Sequence, residues 1–244
     1  KKREEILLNT NNKLKIKDII KFKNYLLRRH QKEPIAYILG YKYFWKHKFL
    51  TNKSVLIPRP DTELIIEEAL KYLPIDKSKK ILDIGTGSGC IVISLLKERP
   101  NCSATALDIS LKALNVAKTN AKLHQLENKI NFINIDIDKY KSYNYDLIIS
   151  NPPYIKKNDL KCLDKDINFE PKQALDGGFD GLSVMRKVIS KSSKLIKNKG
   201  YLVLEIGFDQ KNKVKELLLN KGFYIKEIVK DLSNHERCIV GIKI

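Results

Sequence analysis

The chain has 244 residues, of which 43% are hydrophobic and 31% charged, so a sizeable core is expected and global disorder is excluded. No apolar run approaches the roughly 18 residues of a membrane span. The four cysteines lie far apart, which argues against a metal site or a disulfide framework and favours reduced thiols in a cytoplasmic protein.

Positive charge dominates, with 47 basic against 28 acidic residues and a net charge of +19. Residues 1–60 alone hold 16 basic and 4 acidic side chains, a surplus that steers anionic partners. However, 40 of the basic residues are lysine and only 7 are arginine. A nucleic-acid groove draws more often on arginine for bidentate contacts. The charge therefore indicates a chain-wide drift towards lysine more than a dedicated nucleic-acid surface.

Helices are predicted first along the chain. Residues 1–34 are polar, with Ile16, Ile19 and Ile20 at helical spacing, and Pro34 ends this region. The segment before Pro34 therefore predicts a small helical domain, which we place at residues 1–40.

A β-hairpin and a stiff elbow are predicted next. Ile35–Val55 is rich in aromatic residues and contains a polar tip at residues 51–53, which is typical of a hairpin. The proline-rich residues 56–63 then form an elbow. Asp61 is predicted to cap a helix at Thr62–Leu73, because a carboxylate suits the positive end of a helix.

From residue 80 onward the pattern alternates between strand and helix. The predicted elements are strands at Ile81–Ile84, Cys102–Leu107, Ile130–Ile135, Asp146–Ser150 and Tyr201–Ile206, and helices at Cys90–Lys97, Leu111–His124, Ser183–Ile196 and Gln210–Leu219. This alternation predicts an α/β fold with a mostly parallel sheet. Two closing strands, Phe223–Val229 and Arg237–Ile242, add an antiparallel edge. The hairpin and elbow then occupy residues 41–60 and the α/β domain residues 61–244.

A glycine-rich segment, Asp83–Gly89 with the sequence DIGTGSG, follows one predicted strand and opens a predicted helix. Glycines allow a sharp turn and the close approach of a ligand, and the start of a helix offers free N–H groups. The segment lacks the lysine of a P-loop, and its GxGxG spacing departs from the GxGxxG of dinucleotide sites. It predicts a site for a nucleotide-like ligand.

Two aspartates follow the next two strands. Asp108 lies 23 residues after Gly85, where a carboxylate accepts both ribose hydroxyls of an adenosine moiety. It also suits the N-cap of the following helix, a task that Ser110 shares. Asp136 lies where it could bind the adenine amino group, and it suits a turn equally well. The pair of Gly85 and Asp108 favours a nucleoside ligand.

The segment Ser150-Asn151-Pro152-Pro153-Tyr154 lies at the carboxyl end of a predicted parallel strand, where open α/β sheets place active sites. The two prolines fix the backbone and remove two N–H donors. The Asn151 side-chain oxygen and the Pro152 carbonyl can each accept one N–H of a planar –C(X)–NH2 group, and the Tyr154 ring can stack on its plane. Two such acceptors raise the electron density of an amide nitrogen, which is otherwise a poor nucleophile.

These segments together resemble the release factor glutamine methyltransferases, the HemK/PrmC family. The resemblance covers nearly the whole chain, and its RPDTE-type elbow separates the family from DNA methyltransferases with a tetrad similar to Asn-Pro-Pro-Tyr at residues 151–154. It rests on Asp83–Gly89, Asp108, residues 151–154 and the elbow at 58–63, with support from residues 33–40, Phe169-Glu170-Pro171, Ala174-Leu175, Asp180-Gly181 and Asn234, Glu236 and Arg237.

The resemblance implies a class I methyltransferase fold, Rossmann-like, with S-adenosylmethionine as methyl donor and S-adenosylhomocysteine as product. The acceptor would be the side-chain nitrogen of the glutamine in the GGQ motif of class-1 peptide chain release factors. The implied cofactor residues are Gly85, Thr86, Gly87, Ser88, Gly89, Asp108, Asp136, Ile137 and Asn151. The implied substrate residues are Asn151, Pro152, Pro153 and Tyr154, with Asn151, Pro152 and Tyr154 catalytic.

Two features depart from the family pattern. Ile137 stands where the family often places an aromatic residue, so looser packing of the adenine is expected. The helical region at residues 1–40, which would dock the protein substrate, is short for the family, and we expect an upstream piece to be missing.

The residues leave a second activity open. The exocyclic amino group of adenine or guanine is also planar and suits the same tetrad after base flipping, so a nucleic-acid N-methyltransferase is the alternative. A non-catalytic binding module would have no need of two aligned acceptors, and a nicotinamide-dependent reductase would need GxGxxG spacing. We expect a cytoplasmic monomer that acts on release factors, without a metal, a membrane or a nucleic-acid substrate.

Overall fold

The computed structural model describes Leu8 and residues 15–244; the rest of the predicted N-terminal helical region lies outside the described residues. The α-helices are α1 Ile16–His30, α2 Ile35–Leu39, α3 Glu63–Lys71, α4 Cys90–Glu98, α5 Leu111–Leu123, α6 Ser183–Leu195 and α7 Lys211–Leu219. The strands are β1 Tyr41–Phe44, β2 His47–Leu50, β3 Lys80–Ile84, β4 Ser103–Asp108, β5 Ile130–Asn134, β6 Tyr145–Ser150, β7 Ile196–Glu205, β8 Phe223–Lys230 and β9 Glu236–Lys243.

A seven-stranded sheet organises the α/β part, with the strand order β5-β4-β3-β6-β7-β9-β8. The pairs from β5 through to β7 are parallel, whereas β9 is antiparallel to both β7 and β8. Parallel strands need crossover connections, and the helices that supply them cover both faces of the sheet. This is the arrangement that the alternating pattern predicts, with its antiparallel edge at the end of the chain.

The core is divided between the two faces of the sheet. Ile81 and Leu82 are neighbours on β3 but belong to different core clusters, because successive side chains of a strand point to opposite faces. Ile81 packs in the cluster that contains Ile66 of α3, and Leu82 in the cluster that contains Val188 of α6. Each such buried side chain contributes roughly 1.5–3 kcal/mol relative to an exposed one. This packing makes the sheet a rigid base for the loops at its edge.

Helix α1 is present as the spacing predicts, but its apolar residues Ile16, Ile19 and Ile20 are exposed. Its last turn is held by two ion pairs, between Arg28 and Glu33 at 2.7 Å and between Arg29 and Asp166 at 2.6 Å. Among the described residues, no helix combines the length and the apolar character that crossing a membrane requires.

The hairpin differs from the prediction at both ends. Ile35–Leu39 is a short helix, which ends at Gly40 in the left-handed region with φ +81°. The strands β1 and β2 pair from Tyr41↔Leu50 to Phe44↔His47, so the turn lies at residues 45–46 and the predicted tip at residues 51–53 is wrong. The Trp45 indole N–H donates to Glu98 over 2.9 Å and its backbone N–H to Glu63 over 2.6 Å, and these contacts fix the turn on the α/β domain.

The predicted cap by Asp61 is also wrong. A 3-10 turn at Pro60–Thr62 precedes α3, whose N-cap is Thr62 without a side-chain hydrogen bond to the helix. The Asp61 carboxylate instead faces Arg237 of β9 at 3.7 Å. A nearby guanidinium offers a full charge, whereas a helix end offers only a partial one.

Candidate active site

The ends of β3 and β6 bring the two principal motifs side by side. These strands are neighbours, with Ile84 aligned to Ser150, and the Ser150 hydroxyl donates to the Ile84 carbonyl over 2.7 Å. From this pair the connections run outward in opposite directions, to β4 and β5 on one side and to β7 on the other. Open α/β sheets bind ligands at such a switch point. The glycine loop after β3 and Asn151 after β6 therefore share one crevice.

The glycine loop adopts a backbone that other residues rarely adopt. Gly85, Gly87 and Gly89 have φ of +75°, +56° and +79°. A Cβ added to Gly85 would meet no atom within 4 Å, so the loop leaves open space for a ligand. A Cβ added to Gly89 would lie 3.0 Å from Ile93 and 3.3 Å from Ala117. The first two glycines thus permit ligand approach, and the third permits α4 to pack against α5.

Asp108, at the end of β4, is tied to this loop. Its carboxylate accepts the backbone N–H of Gly87 over 2.9 Å and that of Ser110 over 2.8 Å. The cap of α5 is Ser110, whose hydroxyl accepts the N–H of Ala113 over 3.2 Å. Burial raises the pKa of the Asp108 carboxyl, and the backbone donors oppose that shift. Asp108 is therefore not the helix cap, and its role towards a ribose stays a prediction.

Asp83 is a fully buried carboxyl at the start of the loop. One of its oxygens accepts the Thr86 hydroxyl over 2.7 Å, and the other has no hydrogen-bond partner among the described residues. Burial raises the pKa of Asp83 to about 7. An unpaired buried oxygen is costly unless a ligand or water completes it. An open glycine loop, the Asp108 carboxylate and this orphaned oxygen fit a cationic nucleoside such as S-adenosylmethionine.

Asp136 and Ile137 follow β5. The Asp136 carboxylate accepts the N–H of Asp138 over 2.9 Å and caps the 3-10 turn Ile137–Lys139. Ile137 is buried in the same core cluster as Ile84, the last residue of β3, and Leu107, which lies one residue before the end of β4. The turn alternative for Asp136 is thus present in the structure, and contacts of both residues with an adenine stay predictions.

Asn151 is the first member of a chain of hydrogen bonds. Its Nδ2 donates to the Thr62 hydroxyl over 3.1 Å, and that hydroxyl donates to Glu205 over 2.7 Å. The second oxygen of Glu205 accepts the Tyr154 hydroxyl over 3.1 Å. The elbow, β6 and β7 thus meet at one carboxylate. The sequence analysis predicted no role for Glu205 or for the Thr62 side chain. An acidic residue at the end of the apolar run of β7 could have indicated Glu205 as a functional residue.

Glu205 is 2% exposed and lies at the end of β7. Burial raises the pKa of its carboxyl, while the two hydroxyl donors and the nearby charge of Arg237 lower it. Burial also raises the pKa of Tyr154, with a further contribution from Glu205, so this phenol keeps its proton. Tyr154 therefore acts as a hydrogen-bond donor that fixes its own ring.

The backbone after the prolines is held by Gln210. Its Nε2 donates to the Tyr154 carbonyl over 3.0 Å and to the Gly181 carbonyl over 3.2 Å. Gly181 has φ +75°, and a Cβ there would lie 2.5 Å from the Tyr154 carbonyl oxygen, so only glycine fits. Pro152 is buried and Pro153 is half-buried in this segment. Gln210 was not predicted, because nothing in its local pattern marks it.

The elbow is fixed by a buried carboxylate from a distant segment. Glu170 accepts the backbone N–H of Ile57 over 3.0 Å and forms an ion pair with Arg59. The Thr62 N–H bonds the Arg59 carbonyl over 3.2 Å. Glu170 thereby holds the elbow that carries Thr62 into the site.

A buried asparagine on α5 joins the hairpin to the glycine loop. Asn120 accepts the N–H of Leu50 over 2.7 Å and donates to the carbonyls of Leu50 at 3.1 Å and Ser88 at 2.9 Å. Both the oxygen and the nitrogen of the Asn120 side-chain amide are therefore hydrogen-bonded inside the protein. This residue was also missed, because its helical position gives no sign of either partner.

The fold and this crevice define the class of S-adenosylmethionine-dependent methyltransferases of class I. Residues 62–232 match the family model described as methyltransferase small domain, and residues 1–40 match the PrmC N-terminal domain. The release factor glutamine methyltransferase of Caulobacter vibrioides is 38% identical over 99% of this chain and 84% of its own length. The enzyme of that name from Buchnera aphidicola is 37% identical over 98% of this chain and 86% of its own. The chain belongs to the release factor glutamine methyltransferase family.

Other matches were found among known proteins and solved structures. A bifunctional methyltransferase of Rickettsia typhi is 40% identical over 97% of this chain, and the match covers 49% of the length of the Rickettsia protein. Among solved structures, a methyltransferase from Pyrococcus furiosus gives a TM-score of 0.61 at 18% identity, covering 90% of this chain and 98% of that one. The ribosomal protein L11 methylase from Lactobacillus delbrueckii gives 0.58 at 17% identity, covering 84% and 90%. The similarity to these two solved structures shows the fold.

The comparisons confirm the predicted family, the fold class, the enzyme class and its cofactor type. The division into parts at residues 1–40, 41–60 and 61–244 stays a prediction, as do the roles of the individual site residues.

Proposed function

We propose that this protein transfers a methyl group from S-adenosylmethionine to the side-chain amide nitrogen of the glutamine in the GGQ motif of class-1 peptide chain release factors, as a monomer in the cytoplasm. The proposal follows the named activity of its relatives in Caulobacter and Buchnera. The same activity suits the chemistry of the tetrad at residues 151–154.

One observation carries the proposal most directly. Asn151 donates one Nδ2 hydrogen to Thr62, which turns the oxygen of the same amide away from Thr62 and towards a substrate. It stands beside the glycine loop, because β3 and β6 are paired up to Ile84 and Ser150. A planar amide held there has its nitrogen next to the site predicted for the cofactor.

The chain's residues act by positioning. S-adenosylmethionine supplies an activated methyl group on a sulfonium. The Asn151 oxygen and the Pro152 carbonyl accept the two N–H groups of the glutamine amide, which favours the change of its nitrogen towards tetrahedral geometry. The Tyr154 ring, held through its hydroxyl by Glu205, limits the tilt of the amide plane. Such orientation is worth roughly 7–11 kcal/mol of a barrier, and the surplus proton leaves to water.

Mass spectrometry of a release factor incubated with this protein and S-adenosylmethionine tests the proposal. We expect a gain of one methyl group on the peptide that contains GGQ, and none when that glutamine is replaced by glutamate in the release factor. Oligonucleotides incubated in parallel with labelled cofactor supply the competing outcome. Methylation of adenine or guanine without methylation of the release factor would overturn the proposal in favour of the nucleic-acid alternative.

A further inference from the structure

We propose that Glu205 is a positioning residue that acts through Thr62 to hold the Asn151 amide with its oxygen towards the substrate. The inference rests on the proposed function, because it concerns how the same site presents an acceptor to an amide. It goes beyond that function by assigning a task to two residues outside the Asn-Pro-Pro-Tyr tetrad.

The direction of each hydrogen bond follows from what its partners can donate. Both oxygens of Glu205 act as acceptors, one for the Tyr154 hydroxyl and the other for the Thr62 hydroxyl 2.7 Å away, so Thr62 spends its single proton on Glu205. The Thr62 oxygen then has only lone pairs to offer to Asn151. The Asn151 group that faces it at 3.1 Å must therefore be the donor Nδ2.

The same chain of hydrogen bonds disfavours the orientation in which the oxygen and Nδ2 of Asn151 exchange places. A flip by half a turn would place the Asn151 oxygen against the Thr62 oxygen, and two acceptors would face each other without a proton. It would also present an NH2 group to the substrate amide, which offers N–H groups itself. In the observed orientation, no hydrogen bond within the described residues engages the Asn151 oxygen, so that oxygen is left for a ligand.

The anchor of this chain is rigid. Glu205 is the last residue of β7 and is paired with Cys238 of β9. Strand β7 itself lies between β6 and β9 in the sheet. Its other oxygen accepts the Tyr154 hydroxyl at 3.1 Å. One carboxylate therefore sets both the Asn151 acceptor and the Tyr154 ring, the two side chains that we call the clamp of the substrate amide. Partners that orient the ligands of a metal site typically change activity about 10–100-fold when removed, and we expect an effect of that size for this orienting carboxylate.

Three variants test the inference on the full chain. Thr62→Val keeps the shape of the side chain and removes the hydroxyl, whereas Thr62→Ser keeps the hydroxyl. Glu205→Gln offers one oxygen in place of two, so one of its two hydroxyl partners has to reverse. Glu68→Gln is the matched control, because Glu68 is also a buried glutamate but is paired with Lys71 on α3.

We expect kcat for release factor methylation to fall about 10–100-fold in Thr62→Val and Glu205→Gln. The Kd for S-adenosylmethionine, measured by calorimetry, should stay close to that of the wild type, because the glycine loop and Asp108 are unchanged. Thr62→Ser should restore most of the rate. The double variant that combines Thr62→Val with Glu205→Gln should lose little more than either single variant, because both changes act on one chain of bonds. Thermal melting of each variant confirms that it folds.

A wild-type rate in folded Thr62→Val would overturn the inference while leaving the proposed function intact. Equal losses in Thr62→Val and Thr62→Ser, or additive losses in the double variant, would also overturn it. Failure of the wild-type protein to methylate any release factor would instead overturn the proposed function. The two failures are thus distinguished by the wild-type reaction alone.

Discussion

Asp108 accepts the backbone N–H of Gly87 over 2.9 Å, although 21 residues separate them in the chain. The carboxylate at the end of β4 and the glycine loop after β3 therefore form one unit. Because β3 and β4 are parallel neighbours, their carboxyl ends meet at the same edge of the sheet. The loop's backbone is held by the residue that we expect to bind the ribose of the cofactor.

Replacing Asp108 with alanine should weaken the binding of S-adenosylmethionine. The change removes the predicted ribose acceptor and the partner of the Gly87 N–H, and a hydrogen bond to a charged group is worth about 1.5–3 kcal/mol. The Kd should rise about 10–100-fold by titration calorimetry. Asp159→Ala, at an exposed aspartate, is the control. An unchanged Kd in Asp108→Ala would show that the ribose assignment is wrong.

Asn151→Ala should abolish methylation and largely preserve cofactor affinity. The variant loses the acceptor that we assign to the substrate amide, while the glycine loop and Asp108 stay in place. Single-turnover rates and calorimetry separate the two effects. Asn101→Ala, which removes an exposed asparagine bonded to the Ile75 carbonyl, should behave as wild type. Turnover near the wild-type level in Asn151→Ala would contradict the clamp.

Asp83→Asn should change how stability depends on pH. Burial raises the pKa of Asp83 to about 7 from an ordinary value of 3.8, so the folded state binds this proton more tightly than the unfolded state. Stability from this group is therefore full below about pH 4 and is lost as the pH rises through about 7. Asparagine cannot ionise, so the melting temperature of the variant relative to wild type should be higher at pH 8 than at pH 5. A difference that is the same at both pH values would contradict this assignment.

Asn120→Ala should destabilise the protein by about 2–4 kcal/mol. The N–H and carbonyl of Leu50 and the carbonyl of Ser88 would lose their partner, and each unsatisfied buried polar group costs about 1–3 kcal/mol. Urea unfolding measures the loss. Thr119→Ala, at the exposed neighbour, is the control and should stay within about 0.5 kcal/mol of wild type. A loss of stability below about 0.5 kcal/mol in Asn120→Ala would show that this side chain does not hold the hairpin and the glycine loop together.

The sequence predicted those features that depend on local pattern. Short apolar runs, separated by segments with helical periodicity, predicted β3, β4 and β6 within one or two residues of their observed bounds. The positions of the motifs that follow these strands were therefore also predicted. The hairpin tip failed because the turn is decided by Trp45, whose side chain binds Glu98 on α4. Local polarity at residues 51–53 carries no information about such a distant partner.

The supporting residues of the site were out of reach for the same reason. Thr62 and Glu205 are 143 residues apart, and only the folded sheet places them 2.7 Å from each other. Asp61 turned towards Arg237 because the same fold brings β9 beside the elbow. Periodicity predicts which face of an element is buried, but it does not pair polar side chains across elements.

The last strand of the sheet, β9, lies between β7 and β8 although it follows both in the chain. During synthesis, β8 therefore has no place to attach until Glu236–Lys243 has left the ribosome. Glu205 shares this delay, because its neighbour across the sheet is Cys238 of the same strand. The support that β9 gives to the clamp of the active site is therefore present only once residues 236–243 have been made, and nascent chains halted before residue 236 should lack that support.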